Sequence, residues 1–337
     1  MAWLRGYTKR VPIVVNSDYI RSTLNNFPIL ITDSVISDEV WQYINREDVG
    51  DIRVTSDDGQ TVLMAEWSVA SKAAESLSLF FNSELLTEDE DTTFYLYAGH
   101  GSNEQMTQEE QESVWSGYTA VWHMEETGTY IDSTENDNDG IGYVGSANKT
   151  GKIKQGQFFS GNDYIDIPDF GKTAGFSVSM WINPDNKTNT DVIISNTTGF
   201  SIGTYSSGPS LILAADGFPK RRASSTNITS GAWNHLVCSY DQSGIPSCFI
   251  NGVETSYLSE NEWNNPGSFI GQRLSGLSRY NGYLDEIRIM DSQINIDWAY
   301  AEYINQNDIT NFFTVGEIER VYPNYYQNLL LNRTGRI

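Results

Sequence analysis

A chain of 337 residues exceeds the size at which one hydrophobic core usually stops growing, so two domains are expected. With 39% apolar and 12% aromatic residues it carries enough ring and aliphatic surface for real cores, which excludes wholesale disorder. Its net charge of −23 repels phosphate backbones and anionic headgroups, so nucleic acid is excluded as a partner.

Alternation of apolar and polar residues dominates and sustained 3.6-residue periodicity is scarce, which predicts an all-β chain. Residues 12–15, 27–32 and 51–55 read as strands, and a short helix is predicted over 37–43, with Asp38 and Glu39 at its positive end. Asp58-Gly59 supplies a tight turn before a strand over 61–67. After a solvated acidic turn at 88–91, residues 93–98 alternate Phe94 and Leu96 with Tyr95 and Tyr97. Thr107 and Glu110 have the side-chain types of a capping box, so a short helix starts there and marks the domain boundary.

From Tyr118 onward short strands recur about every ten residues, as in a sandwich or jelly roll. Residues 175–183 put Phe176, Val178, Met180 and Ile182 on one face and Ser177, Ser179 and Trp181 on the other. Asn251-Gly252 suits a type I′ turn. Near the end Asn295 caps a helix with Trp298, Ala301 and Ile304 along one side.

Membrane insertion is not expected, because the longest uncharged stretch, 192–215, is rich in Ser, Thr, Asn and Gly. Arg5, Lys9 and Arg10 interrupt the N-terminus and leave only 11–15 apolar, so no secretion signal is read. Two cysteines make no disulfide scaffold, and His100, His123 and His235 have no zinc-site spacing. Cys238 and Cys248 fall on neighbouring strands, where a bridge is conceivable, but two free buried thiols are expected.

Two stretches read as family signatures. Trp3-Leu-Arg-Gly-Tyr-Thr-Lys-Arg-Val-Pro-Ile13, Asn26-Phe-Pro-Ile-Leu-Ile31, Asp51-Ile-Arg-Val-Thr55, Asp58-Gly59 and Phe94-Tyr-Leu-Tyr-Ala-Gly99 resemble the domain of unknown function DUF2341. Ala120-Val-Trp-His-Met-Glu125, Phe158-Phe-Ser-Gly161, Phe176 to Pro184, Trp233-Asn-His235, Phe249-Ile-Asn-Gly-Val253 and Gly282-Tyr-Leu-Asp-Glu-Ile-Arg-Ile289 resemble the laminin G-like, concanavalin A-like jelly roll. The resemblance implies two β-sandwich domains: a DUF2341-like sandwich over 1–105, a linker with a short helix over 106–117, and a jelly roll over 118–319. A C-terminal arm over 320–337 and short linker and C-terminal helices complete the expected chain. Such pairs occur in large secreted or surface proteins beside glycan-active or adhesive modules.

Some relatives of that fold are glycanases, whose retaining members need two carboxyl groups about 5 Å apart on one face. No Glu-x-Asp-x-Glu string occurs here, and the adjacent pair Asp285-Glu286 is expected on opposite faces of its strand, so no enzyme and no catalytic residue are expected. The resemblance also implies a structural calcium between the loop of Asp132 and Asp139 and the Asp285 of Leu-Asp-Glu. A hard cation takes six to eight oxygens, which this Asn- and Asp-rich loop could supply; a solvated turn is the plainer reading. Glycan binding needs exposed rings with polar neighbours, and Trp263 and Tyr280 are the candidates, Trp181 and Trp233 being read as structural. The triplet Lys220-Arg221-Arg222 is read as a solvated loop that could meet a carboxylate-bearing partner.

The arm carries Arg320, Arg333 and Arg336 with no acid, together with Tyr322, Tyr325, Tyr326, Leu329, Leu330 and Leu331. It is expected either to fold back on its own sandwich or to order against a neighbouring subunit, giving self-association or attachment to other virion subunits. The function expected is a non-enzymatic structural or adhesive protein with a lectin-like module. A bacteriophage virion surface, as head decoration or tail protein, is the expected location. A bacterial surface adhesin or accessory carbohydrate-binding module is the alternative.

Overall fold

The computed structural model describes residues 2–101, 104–169, 175–185, 192–196, 200–205, 210–215, 221–224, 228–241, 243, 245–259, 268–272 and 279–321, less 242 and 244. The chain separates into two compact units, one of Met1–Glu110 with the chain from Ile309, the other of Gln111–Asp308. The division falls inside the helix Gln108–Glu112, where Thr107 Oγ accepts from the Glu110 amide and Glu110 accepts from the Thr107 amide. That reciprocal pair is the capping box read from the sequence.

In the first unit the strand Lys9–Val15 lies antiparallel to Thr92–Ala98, which pairs in turn with Arg53–Thr55. Val11, Ile13 and Val15 point inward at alternate positions. A second sheet holds Pro28–Thr32, Ser76–Asn82 and Ala65–Ser71, and the Phe81 and Phe94 rings meet between the sheets at 5.1 Å. Ser76–Asn82 has no counterpart in the sequence reading, although Ser76 to Leu79 alternates polar and apolar; Leu77 to Phe81 is buried throughout. The expected strand over 61–67 starts only at Ala65, because Asp58 accepts from the Gln60 and Thr61 amides and holds the turn open longer. Those donors pull the Asp58 carboxyl well below the ordinary range.

The other side of Lys9–Val15 is filled from the far end of the chain. Phe313–Val315 pairs with residues 13–15 and Glu319–Arg320 pairs with Lys9 and Arg10. Arg10 donates to Glu319 at 2.6 Å, and its guanidinium lies 4.5 Å from the Trp3 ring and 3.9 Å from the Tyr95 ring. Arg320 pairs with Glu39. Residues 309–319, which the sequence reading gave to the jelly roll, and Arg320, which it gave to the arm, thus belong to the first unit, with 313–315 and 319–320 as its strands. Tyr322, Tyr325, Tyr326, Leu329, Leu330, Leu331, Arg333 and Arg336 lie outside the described residues.

The second unit is a sandwich of a nine-stranded and a seven-stranded sheet, paired antiparallel and largely between strands distant in sequence, and the fold is all-β with short helices at the linker and the C-terminal side. Phe176–Pro184 sits between Asn234–Tyr240 and Asn281–Met290, and Phe176, Val178, Met180 and Ile182 enter the core as their alternation requires. Trp122, Phe159, Ile194, Leu236 and Ile270 fill the space from both sheets. Asn251 and Gly252 both take positive φ, at 52° and 72°, as a type I′ turn demands. Cys238 and Cys248 face each other in register with sulfurs 3.6 Å apart, both free and buried. Among the described residues no helix is long and apolar enough to cross a membrane.

Asn295 caps the helix Ile296–Asn307 by accepting from the Trp298 amide. Of the expected Trp298, Ala301 and Ile304 stripe only Ala301 is fully buried, and the buried side is completed by Ala299, Glu302, Asn305 and Gln306. The helix lies on the outer face of the seven-stranded sheet, which offers polar partners: Ser179 donates to Glu302, and Trp181 donates its indole N–H to Gln306.

Candidate functional site

The carboxylates of the second unit come first, because they decide whether chemistry is possible. Leu284 and Ile287 both enter the core, so the two residues between them share the outer side. Glu286, at φ 50°, is the extra residue of a β-bulge opposite Phe176–Pro184. The bulge overturns the expectation that Asp285 and Glu286 point to opposite faces. Neither carboxyl is open to a substrate, however: they are 0% and 1% exposed.

Asp285 accepts from the Lys152 and Ile153 amides at 2.7 and 2.8 Å. Burial first, and the Glu286 charge second, push its carboxyl well above the ordinary range. Glu286 is held by His123 at 2.9 Å and by Arg288 at 2.6 Å. Burial acts to raise it, but His123 and Arg288 outweigh burial and hold it below its usual value. Arg288 also donates to Glu302 at 3.1 Å and lies 4.8 Å from the Trp115 ring. Burial keeps His235, 3.7 Å from Glu302, neutral with its pKa lowered to about 3. This chain of charges ties the helix to the sheet, and Glu286, Arg288 and Glu302 are all buried within it.

The expected calcium ligands do not converge. Asp132 takes four donors from its own surroundings, the amides of Val121, Thr134 and Asn138 and the Thr134 hydroxyl, all within 3.0 Å. Its oxygens are therefore turned to N–H and O–H groups rather than toward a cation. Asp139 accepts from the Asp132 amide, while Asp285 is tied to the 152–153 backbone. Among the described residues no three of His, Cys, Asp and Glu are placed to hold a metal ion. Asp132, Asp139 and Asp285 do not fit one shared calcium site.

The glycan candidate Trp263 and Lys220 of the basic triplet lie outside the described residues, while Arg221 and Arg222 stand on the strand Arg221–Ser224 rather than in the expected loop. Tyr280 is 1% exposed, packs against Phe159 in the core and donates its hydroxyl to the Tyr283 carbonyl, so it cannot meet a ligand. Trp181 is buried under the helix, as the structural reading has it.

A different set of rings comes together where the helix no longer covers the outer face of the seven-stranded sheet. Phe158, on Gln157–Ser160, lies directly opposite Tyr283, and their rings meet at 4.8 Å. Tyr283 is opposite Asn183 on the next strand, and the Trp233 ring reaches over to 6.1 Å from Tyr283. All four side chains are half-buried. Both ring pairs are tilted by 56°, so the row makes a trough rather than a plane. Asn148, exposed on the neighbouring loop, donates to the Tyr283 hydroxyl at 2.9 Å.

The Asn183 carboxamide oxygen is buried within this row and accepts no hydrogen bond from the protein. Apolar ring surface with a few polar atoms set in it is the makeup of a saccharide site: C–H faces pack on rings while hydroxyls need partners. The sequence held part of the signal. Tyr283 precedes the core residue Leu284 and must face outward, and Phe158 precedes the core residue Phe159 in the same way. What the sequence could not supply was the lateral order of strands that sets these residues side by side.

Residues 159–297 match the Laminin_G_3 family, described as the concanavalin A-like lectin/glucanases superfamily. No curated protein matches the chain. Among solved structures, domain 4 of the extracellular GH43 arabinanase AbnA from Geobacillus stearothermophilus, bound to arabinotriose, is 22% identical. It aligns over 54% of this chain and 96% of its own, with a TM-score of 0.43. The receptor-binding domain of botulinum neurotoxin D is 12% identical over 56% of this chain and 53% of its own, with a TM-score of 0.42. The binding domain of Paraclostridial Mosquitocidal Protein 1 is 16% identical over 56% of this chain and 52% of its own, also at 0.42. The chain spans about half the length of both toxin domains.

Proposed function

We propose that the second unit is a non-catalytic, lectin-like module that binds saccharides along the trough of Phe158, Tyr283, Asn183 and Trp233. The observation that carries this reading is the half-exposed row of the Phe158, Tyr283 and Trp233 rings on the outer sheet face. The laminin G-like match of residues 159–297 supports it. The burial of Asp285 and Glu286 supports the non-catalytic part, since a glycanase must bring both carboxyl groups to the glycosidic bond.

The whole chain is proposed to display this module on a surface, that of a virion in the first instance. The resemblance of residues 1–105 to DUF2341, which accompanies adhesive modules, supports display. Mass spectrometry of purified particles from the source tests the virion placement, and absence of the chain from them rejects it.

The saccharide reading is tested by glycan-array binding of the full chain and of Trp233→Ala and Tyr283→Ala. The wild type is expected to bind without releasing reducing ends, and each variant to bind about tenfold or more weakly with unchanged melting. Binding that survives both substitutions rejects the trough. Reducing ends released by the wild type reject the non-catalytic assignment.

A further inference from the structure

We infer that one end of the outer face of the nine-stranded sheet is a docking surface for a second copy of this chain, and that the segment it receives is that copy's residues 322–337. At that end Thr129–Tyr130, Gly140–Tyr143, Tyr164–Asp166 and Phe269–Ile270 lie side by side. Tyr130, Ile165 and Ile270 enter the core, so their chain neighbours Ile131, Tyr164 and Phe269 point away from it. Ile141 and Tyr143 join them from the second of these strands. Tyr143 stands directly opposite Tyr164, with the two rings stacked at 4.7 Å, and the Phe269 ring meets Tyr164 edge-on at 5.8 Å. Cross-strand pairs of this kind stabilise the sheet, yet Ile131, Ile141 and Tyr143 remain 48%, 57% and 52% exposed. Contiguous bare apolar surface of that extent marks an interaction face.

The charge around the face names its occupant. Residues 129–143 carry Asp132, Glu135, Asp137 and Asp139 with no Lys, Arg or His, and residues 161–169 carry Asp163, Asp166 and Asp169, again with no base. Asp132 and Asp163 are buried and taken up by backbone amides, whereas the other five reach solvent. Asp166 stands inside the apolar patch, opposite Ile141 on one side and Phe269 on the other. An occupant must therefore bring apolar groups and cations together and must bring no acid. In a chain of 44 Asp and Glu against 21 Lys and Arg, residues 322–337 answer that description: three tyrosines, Leu329 to Leu331, Arg333 and Arg336, and no acid. Leucine and tyrosine cover the isoleucines and rings, while an arginine pairs with Asp166 or lies over a tyrosine face. The bare isoleucines favour a peptide over a saccharide, whose hydroxyls would lose water against them without gaining a partner.

The contact is head-to-tail, one copy giving the segment and the other the face. Two copies that exchange segments close it into a dimer, and copies that do not exchange extend it into a chain.

The test is light scattering of the full-length chain over a range of concentrations, beside a chain lacking 322–337 and a face variant, Tyr143→Ser with Asp166→Lys. Ile141→Lys serves as a second face variant, and each protein is first checked for unchanged melting. The wild type is expected to self-associate, less so as salt rises, and each variant to do so at least about tenfold more weakly. Mixing the truncated chain with a face variant is expected to give a one-to-one pair, because the first keeps the face and the second keeps the segment. A wild type that stays monomeric, face variants that associate as the wild type does, or a mixture that forms no pair overturns the inference. Face variants that keep self-association but lose a glycan bound by the wild type overturn it as well, and give the face to a saccharide. The trough reading stands or falls separately, on Trp233→Ala and Tyr283→Ala.

Discussion

At the residue scale the buried charges under the helix give the sharpest expectation. His235 has an ordinary pKa of 6.5 that burial lowers to about 3, with Arg288 and Lys152 adding to the shift. The unfolded chain therefore takes up a proton there that the folded unit refuses. The stability tied to this residue is complete above about pH 6.5 and is lost as the pH falls toward 3, with a slope approaching about 1.4 kcal/mol per unit. Asp285 and Glu302, both raised by burial, run in the opposite sense: the folded unit binds their protons more readily, so their terms favour folding as the pH falls. Comparing the wild type with His235→Gln cancels those terms. Between pH 6.5 and 4 the variant is expected to show a shallower fall of Tm, read by calorimetry of the second unit. Identical slopes would mean that His235 is protonated in the folded state.

At the element scale the helix Ile296–Asn307 depends on an ion chain rather than on an apolar stripe. Glu302 is 3% exposed and meets Arg288, itself 1% exposed. Removing one member of such a pair strands the other, so Glu302→Ala is expected to cost about 3–5 kcal/mol in denaturant unfolding of the second unit. A loss below about 1 kcal/mol would show that the helix is held by its caps and Trp181 alone. The cap at Asn295 and the capping box at Thr107 were legible in the sequence, because each is a local match between side chain and backbone. The strand Phe176–Pro184 was legible too, its core face being strictly alternate. The buried face of the helix was not. Trp298, Ala301 and Ile304 follow the apolar rule, but the sheet beneath presents Ser179, His235 and Arg288, and polar partners drew Glu302, Asn305 and Gln306 inward. The candidate site failed for a similar reason: Tyr280 and Tyr283 are equally aromatic, and only strand register tells core from trough.

At the scale of the whole molecule the first unit is discontinuous, its sheet completed by Phe313–Val315 and Glu319–Arg320. A chain ended after Asp308 is expected to keep the melting transition of the second unit and to lose or lower that of the first. Deleting only 322–337 is expected to leave both in place. Two unaltered transitions after the longer truncation would show that the returning strands add nothing. The same connectivity has a temporal side. Lys9–Val15 leaves the ribosome well ahead of the partners of one of its two edges, which are made roughly 300 residues later, about 15–60 s at ~5–20 residues per second. Throughout that interval one row of its backbone amides and carbonyls is open to pairing with any other nascent strand. The jelly roll, encoded wholly within the gap, is free to fold while the first sheet waits, so crowded polysomes and early termination are the conditions under which this protein is most exposed to misassembly.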